Sequence, residues 1–234
     1  MTTDPTLRYE LKLACAAHWL SQARAWIRLH PEGFYVAYPS RTVNNAYLDT
    51  PAYDSFNANI AGVDNRRKLR LRWYGEPAPA GNKSCPIEPV LELKYKENML
   101  GGKKRFRLPV SVDLARPWSC VRQTLQTHAP AEWQNLLRQA SQFTLINRYR
   151  RDYYVTPDGA VRLTLDYAQE AYDQRLALRP NLHARLPLDD LVVIEVKAGP
   201  SEEERLQALM GHFPAPRSRN SKYAVSLLAA FRTE

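Results

Sequence analysis

The chain has 234 residues, 44% hydrophobic and 10% aromatic, with 33 basic against 24 acidic side chains and a formal net charge of +9. This composition excludes a disordered chain, and the basic excess points to a polyanionic partner such as nucleic acid, anionic lipid or phosphate compounds. No apolar run approaches the roughly eighteen residues of a membrane-spanning helix.

The start "MTTDPTLRYELK" lacks the features of a signal peptide, and the three scattered cysteines (Cys15, Cys85, Cys120) form no disulfide or metal pattern. A cytoplasmic protein is expected, folded as one domain over residues 1–234. A first strand is expected around Leu7 to Leu13, then a helix from about Ala14 to Leu29 with Trp19, Ala23, Trp26 and Ile27 on its apolar side. "NAYLDT" reads as a short strand, and "PAYDSFNANIAG" as a helix opened by Pro51 and closed by Gly62. Three strand-like runs follow: "RKLRLRWYG", "PVLELKYKE" and "KKRFRLPV". A proline- and glycine-rich loop, Gly75 to Pro89, separates the first two. Residues 118–142 contain helical material, and "TLINRYRRDYYVT" and "AVRLTLDYAQEA" form a hairpin about "PDG". "LVVIEVKAG" is a further strand. Ser201 is the expected N-cap of a helix in "PSEEERLQALMGHF", and "SKYAVSLLAAF" closes the chain as a helix. Consecutive strands with a few inserted helices describe an α+β protein on an antiparallel sheet.

Strand side chains alternate between faces. In "NRRKLRLRWYG", Lys68, Arg70 and Arg72 oppose Leu69, Leu71 and Trp73. Five other strands repeat the pattern. Arg8, Glu10 and Lys12 share a face, as do Glu92, Lys94 and Lys96; Lys103, Arg105 and Arg107; Arg162, Thr164 and Asp166; and Glu195 and Lys197. One solvated sheet face would explain any single strand. It does not explain charge at nearly every polar position of six. The expected solution is a closed antiparallel β-barrel with the charges inside and helices packed around the outside. Like charges about 4 Å apart repel by roughly 4 kcal/mol at an effective dielectric near 20. Such an interior therefore needs interleaved carboxylates or a bound polyanion. Phosphate chains suit Arg and Lys, and the carboxylates are hard oxygen ligands suited to Mg²⁺ or Mn²⁺.

In this order, "RYELK", "NAYLDT", "GVDNRRKLRLRWYG", "LELKYK", "VRLTLD", "IEVKAG" and "NSKY" resemble the VTC domain, the catalytic module of vacuolar transporter chaperone complexes. That module belongs to the CYTH-like triphosphate tunnel metalloenzymes. The resemblance implies a basic tunnel in which ATP extends inorganic polyphosphate, releasing ADP, with a divalent metal. It also implies that Lys12, Arg70, Arg72, Lys94, Lys103, Arg151, Arg162 and Lys222 bind phosphate, that Glu195 binds metal, and that Tyr149 lies near the nucleotide. Glu10 and Lys197 join Tyr149 as candidate cofactor-binding positions. Glu92 and Asp166 are either further metal ligands or ion-pair partners of the cations. "NRYRRDYY" leaves open which of Arg148, Arg150 and Arg151 faces inward. The SPX domain and membrane segments of the eukaryotic arrangement are not found in this sequence, so a separate membrane-protein partner for polyphosphate export is a further expectation.

Phosphoryl transfer of this kind relies on positioning and charge stabilisation, and no convincing Ser/His/Asp or Cys/His arrangement competes with it. The alternatives are a triphosphate or nucleoside triphosphate hydrolase on the same tunnel, and a non-catalytic polyphosphate binder. A nucleic-acid binder would carry its charges on an exposed face, which leaves Glu10, Glu92 and Glu195, each two positions before a lysine, unexplained. Replacing both Arg70 and Arg72 with alanine is expected to abolish triphosphate binding and leave the fold intact or more stable, by relieving repulsion.

Overall fold

The computed structural model describes residues 8–75, 84–97, 100–210, 215–218 and 220–233. Leu7, the centre of the Gly75 to Pro89 loop, and His212 lie outside the described residues. In chain order the strands are β1 (Tyr9–Ala16), β2 (Tyr35–Asp49), β3 (Arg66–Tyr74), β4 (Pro86–Ile87), β5 (Val90–Glu97), β6 (Leu100–Arg107), β7 (Val112–Asp113), β8 (Gln142–Val155), β9 (Val161–Asp173) and β10 (Leu191–Ala198). The helices are α1 (Leu20–Leu29), α2 (Asp54–Ile60), α3 (Trp118–His128), α4 (Ala131–Gln139), α5 (Glu203–Met210) and α6 (Lys222–Arg232). The architecture is mixed α+β. Eight strands form one antiparallel sheet in the order β1-β10-β9-β8-β2-β3-β5-β6, and β4 pairs with β7 beside it.

The alternating pattern decides what covers each face. Leu69, Leu71 and Trp73 of β3 and Leu91 of β5 turn to the apolar side, where Trp118, Val121 and Leu125 of α3 and Trp133 and Leu137 of α4 bury them. Leu163 and Leu165 of β9 and Ile194 and Val196 of β10 are covered with Ala23 and Ile27 of α1 and Leu206 and Leu209 of α5. Each such side chain contributes roughly 1.5–3 kcal/mol on burial.

The two outer strands of the sheet approach each other. Arg8 N donates to Gly101 O (3.1 Å), and Gly101 N donates to Arg8 O (3.0 Å). Near this bridge Lys94 on β5 reaches Glu10 on β1 (2.9 Å). Beside it the Tyr95 ring lies over Gly102 so closely that any Cβ there would clash with the ring.

Not every helix lies on the apolar side. Tyr47 is the cross-strand partner of Arg70 and of Leu145, so all three share the charged face. Tyr223, Ala224, Leu227 and Ala230 of α6 and Phe56 of α2 pack on Tyr47 and Leu145, with the Tyr47 and Tyr223 rings stacked at 4.7 Å. Helices α6 and α2 thus stopper one end of the charged face, where all helices were expected outside. Asp49 fastens this end: it is fully buried, accepts from Ser55 N and Phe56 N (both 3.0 Å) in the first turn of α2, and accepts from Tyr223 Oη (2.7 Å).

Several boundaries differ from the sequence reading. Residues 14–16 continue β1, because they pair with Val193, Val192 and Leu191, so α1 starts only at Leu20 after a 3₁₀ turn over Ala17–Trp19. "NAYLDT" is the end of a fifteen-residue strand whose first half is irregular, with register shifts between Val36 and Tyr38 and between Tyr38 and Arg41. Pro39, which has no N–H to donate, lies in that stretch. The α2 helix starts at Asp54 after Tyr53 in a left-handed conformation (φ 58°), not at Pro51. Ser201 does not cap α5: it lies within a 3₁₀ turn, Pro200–Glu202, begun by Pro200. The helical material of 118–142 is two helices separated at Pro130, with its end, Gln142, already in β8.

Candidate active site

Glu92 of β5 lies opposite Arg70 of β3 and Arg105 of β6, and it is 2% exposed. Arg70 donates to Glu92 Oε2 from Nη2 (2.6 Å) and Nε (3.0 Å), Arg72 approaches the same oxygen at 3.5 Å, and Arg105 Nε donates to Oε1 (3.0 Å). Burial alone would raise the Glu92 pKa, but Arg70, Arg72 and Lys103 outweigh it and hold the carboxyl well below its ordinary range. Arg72 continues the network, donating to Asn45 Oδ1 (2.8 Å) and Tyr149 Oη (3.2 Å), while Asn45 Nδ2 donates to Asn147 Oδ1 (2.8 Å).

A second group centres on β1 and β10, where Lys12 pairs with Glu195 and Glu10 with Lys197 in the ladder. Lys12 Nζ lies 2.7 Å from Glu10 and 3.6 Å from Glu195, and Lys197 contacts Glu195 Oε1 directly. Burial and the Glu195 carboxylate push the Glu10 pKa up, yet Lys12, Lys94 and Lys197 together hold it well below normal. Burial likewise opposes the charge of Lys12, and Glu10 and Glu195 overcome it, raising its pKa.

The third group is Asp166 of β9, whose side chain is fully buried. Arg151 donates to it in a fork (2.5 and 2.7 Å), and Lys222 from the start of α6 lies 2.6 Å away. The Tyr149 ring lies beside both cations, 5.2 Å from the Arg151 guanidinium and 4.8 Å from Lys222 Nζ. Burial would raise the Tyr149 pKa, but Arg151, Arg72 and Lys222 lower it overall.

Lys68 differs from these cations. Among the described residues it has no carboxylate partner; its ammonium donates to Ser221 Oγ (2.7 Å), the N-cap of α6, and lies 5.8 Å from the Tyr223 ring. Burial first, then Lys94, Lys12, Arg66 and Arg70, push its pKa well below 10.5. Lys103, opposite Lys94, is pushed down to about 7, by burial and then, against the pull of Glu92, by Lys197, Arg105 and Arg72. Its side chain stays exposed, so solvent screens part of that push.

The structure therefore gathers Lys12, Arg70, Arg72, Lys94, Arg151, Lys197 and Lys222 on one face with Glu10, Glu92, Asp166, Glu195 and Tyr149. Lys103 and Arg162 carry exposed side chains at its margin, Arg162 opposite Lys197. Of the three arginines in "NRYRRDYY", Arg151 joins this face; Arg148 pairs with Glu170 (3.5 Å) and Arg150 is exposed. Glu195, Glu92 and Asp166 do not converge, and no cluster of three or more metal-ligating side chains occurs among the described residues. Asn45, Asn147, Lys68, Arg105 and Ser221 belong to the networks but were absent from the candidate set. Lys68 and Arg105 were readable from the alternation, whereas neutral Asn45 carried no charge signal.

The VTC domain model matches residues 7–231 of the chain. The chain belongs to the VTC domain family. No curated protein sequence matches this VTC domain. Among solved structures it is similar to the PH1819 protein of Pyrococcus horikoshii, at 15% identity and a TM-score of 0.51, covering 96% of this chain and 99% of that one. It is also similar to HpAC1 from Hippeastrum, described as a candidate adenylyl cyclase with a dominant triphosphatase activity, at 19% identity and a TM-score of 0.48, covering 97% and 95%. The Schizosaccharomyces pombe Mediator head module matches at 8% identity and a TM-score of 0.52, covering 90% and 97%. At these identities the likeness to the PH1819 protein and the Mediator head module carries architecture and not activity.

Proposed function

We propose that this VTC domain is an ATP-dependent polyphosphate polymerase that releases ADP, working inside a closed β-barrel whose seam is the Arg8–Gly101 bridge. The observation that carries the reading is the uncompensated cationic face. Its four carboxylates are already shared among several cations each, and half-buried Lys68 has none among the described residues. A phosphate chain supplies the missing anions. Arg70, Arg72 and Arg151 offer forked donors to its oxygens, and Lys12, Lys94 and Lys222 offer point charges. Lys103 and Arg162 extend the cationic surface toward solvent. Held in line, a terminal phosphate of the growing chain attacks the γ-phosphorus of ATP, while the cations stabilise the charge that spreads over the transferring group.

The donor set around Glu195 fits a Mn²⁺ or Mg²⁺ ion. Glu195 and the adjacent Glu10 are hard oxygen donors held mainly by lysines, whereas Asp166 and Glu92 have their oxygens occupied by arginine forks. A bound ion supplies charge neutralisation on the phosphate oxygens. Among the described residues no helix is long and apolar enough to cross a membrane. We place the domain in the cytoplasm, where ATP is available, with product passed to a membrane partner.

Product analysis tests the reading. Incubation with ATP and Mn²⁺, or Mg²⁺, is expected to yield polyphosphate chains and ADP. Free phosphate without chains would assign the tunnel to a triphosphatase, and binding without turnover to a carrier.

A further inference from the structure

Beyond Arg151 and Arg72 the charged face changes character. Tyr153, two residues after Arg151, is the cross-strand partner of Thr164 and of Tyr38, and Tyr74, two residues after Arg72, is the partner of Val43. Arg41 is the partner of Arg151. These four side chains therefore lie on the face that carries the phosphate-binding cations: Arg41 is level with Arg151, Tyr153 and its partner Tyr38 lie one two-residue step (about 6.6 Å) beyond Arg151, and Tyr74 lies one such step beyond Arg72. The Arg41 guanidinium lies 5.4 Å from the Tyr38 ring centroid and 5.6 Å from those of Tyr74 and Tyr153. Tyr38 meets Tyr153 edge to face at 5.8 Å. Arg151 joins this group to the interior, lying 6.0 Å from the Tyr153 ring while forking onto Asp166.

Two features separate this cluster from ordinary surface. Tyr38 is 57% exposed and Tyr74 46% exposed, so large aromatic faces are left open to solvent at the end of the sheet opposite the α6 stopper. Arg41 has no carboxylate within ion-pair distance among the described residues, so its exposed charge faces tyrosine rings and solvent. A flat π-system inserted among them would stack on tyrosine and guanidinium together, and its attached phosphates would enter the cationic face directly.

We propose that Tyr38, Arg41, Tyr74 and Tyr153 form a stacking platform for the purine base of a nucleoside triphosphate, which makes the site prefer nucleotide over inorganic triphosphate. The proposal rests on the phosphate-binding reading of the adjacent face. Stacking is tolerant of base identity, so ATP and GTP are expected to bind alike, with discrimination lying between a base and no base.

The test compares ATP, GTP and inorganic triphosphate by calorimetric titration of the wild-type protein, the Tyr74→Ala variant and the Arg41→Ala variant. Both substitutions are on exposed side chains, and circular dichroism checks that the variants are folded. The expected result is tighter wild-type binding of both nucleotides than of triphosphate. The nucleotide-to-triphosphate affinity ratio should fall about tenfold in each variant. Triphosphate binding with an equal nucleotide affinity, or a ratio unmoved by both substitutions, overturns the platform alone. Failure of the wild type to bind triphosphate overturns the reading of the cationic face as well. A short single-stranded oligonucleotide that outcompetes ATP through the same residues also overturns the nucleotide assignment.

Discussion

Lys222 Nζ lies 2.6 Å from Asp166 Oδ2, and this contact ties the first residue of α6 to the charged face of β9. Because Arg151 already forks onto both Asp166 oxygens, the carboxylate is not left alone if Lys222 is removed. Lys222→Ala is therefore expected to cost only about 1 kcal/mol in urea unfolding. The same change is expected to weaken triphosphate binding by roughly tenfold, the worth of one charge-assisted contact. Unchanged affinity in a calorimetric titration would remove Lys222 from the phosphate site.

Glu92 is expected to behave in the opposite way. It is the shared partner of Arg70, Arg72 and exposed Arg105, and Glu92→Gln leaves the charges of Arg70 and Arg72 facing each other in a largely buried setting. The unfolding free energy should fall by about 3 kcal/mol, as for other broken buried pairs. Added triphosphate should raise the melting temperature of this variant more than that of the wild type, because it replaces the missing negative charge. An equal rise in both would argue against a phosphate chain on this face.

Lys68 has a pKa pushed well below 10.5 by burial and by its cationic neighbours. The folded state therefore releases this proton before the unfolded state does. Between the lowered value and 10.5 the unfolded chain binds more protons, so this group makes stability rise with pH across that window. Lys68→Met removes the contribution. The variant is expected to be more stable than the wild type at neutral pH, with the gap closing as pH rises toward 10.5. Its affinity for triphosphate should be lower. A stability gap that does not change with pH would contradict the assignment.

Asp49 provides a control at the stoppered end of the charged face, with no ion pair to the cations among the described residues. It accepts from two N–H groups in the first turn of α2 and from the Tyr223 hydroxyl. Asp49→Ala removes a cap and leaves a buried hydroxyl without its acceptor, at an expected cost of about 3 kcal/mol in denaturant unfolding. Well below its melting temperature, the variant should retain wild-type triphosphate affinity.

Much of the sheet was legible because strands write their two faces into sequence at a period of two. Lys68, Arg70 and Arg72 set against Leu69, Leu71 and Trp73 predicted both the cationic face and the surface that α3 and α4 cover. The first half of β2 was not legible, since register shifts around Tyr38 and the proline at 39 break the period. Nor was the position of α6: its amphipathic pattern shows that one side is buried, but only tertiary packing places that side on Tyr47 and Leu145. The same gap misjudged Arg70 and Arg72. Repulsion alone suggested that removing both would relieve strain, yet they hold Glu92, and the double alanine variant is now expected to be destabilised.

The bridge between Arg8 and Gly101 also bears on how the chain folds. Hairpins β5-β6 and β8-β9 join neighbours in sequence and close only short loops, so they can form early. The bridge instead brings the beginning of the chain to a strand far along it, through two backbone hydrogen bonds rather than a long ladder. By loop-closure entropy, joining this seam is expected to be a late step, taken after the intervening strands are paired. The cations of β1 and β5 would then be brought together last, when Glu10 is in place to receive Lys94.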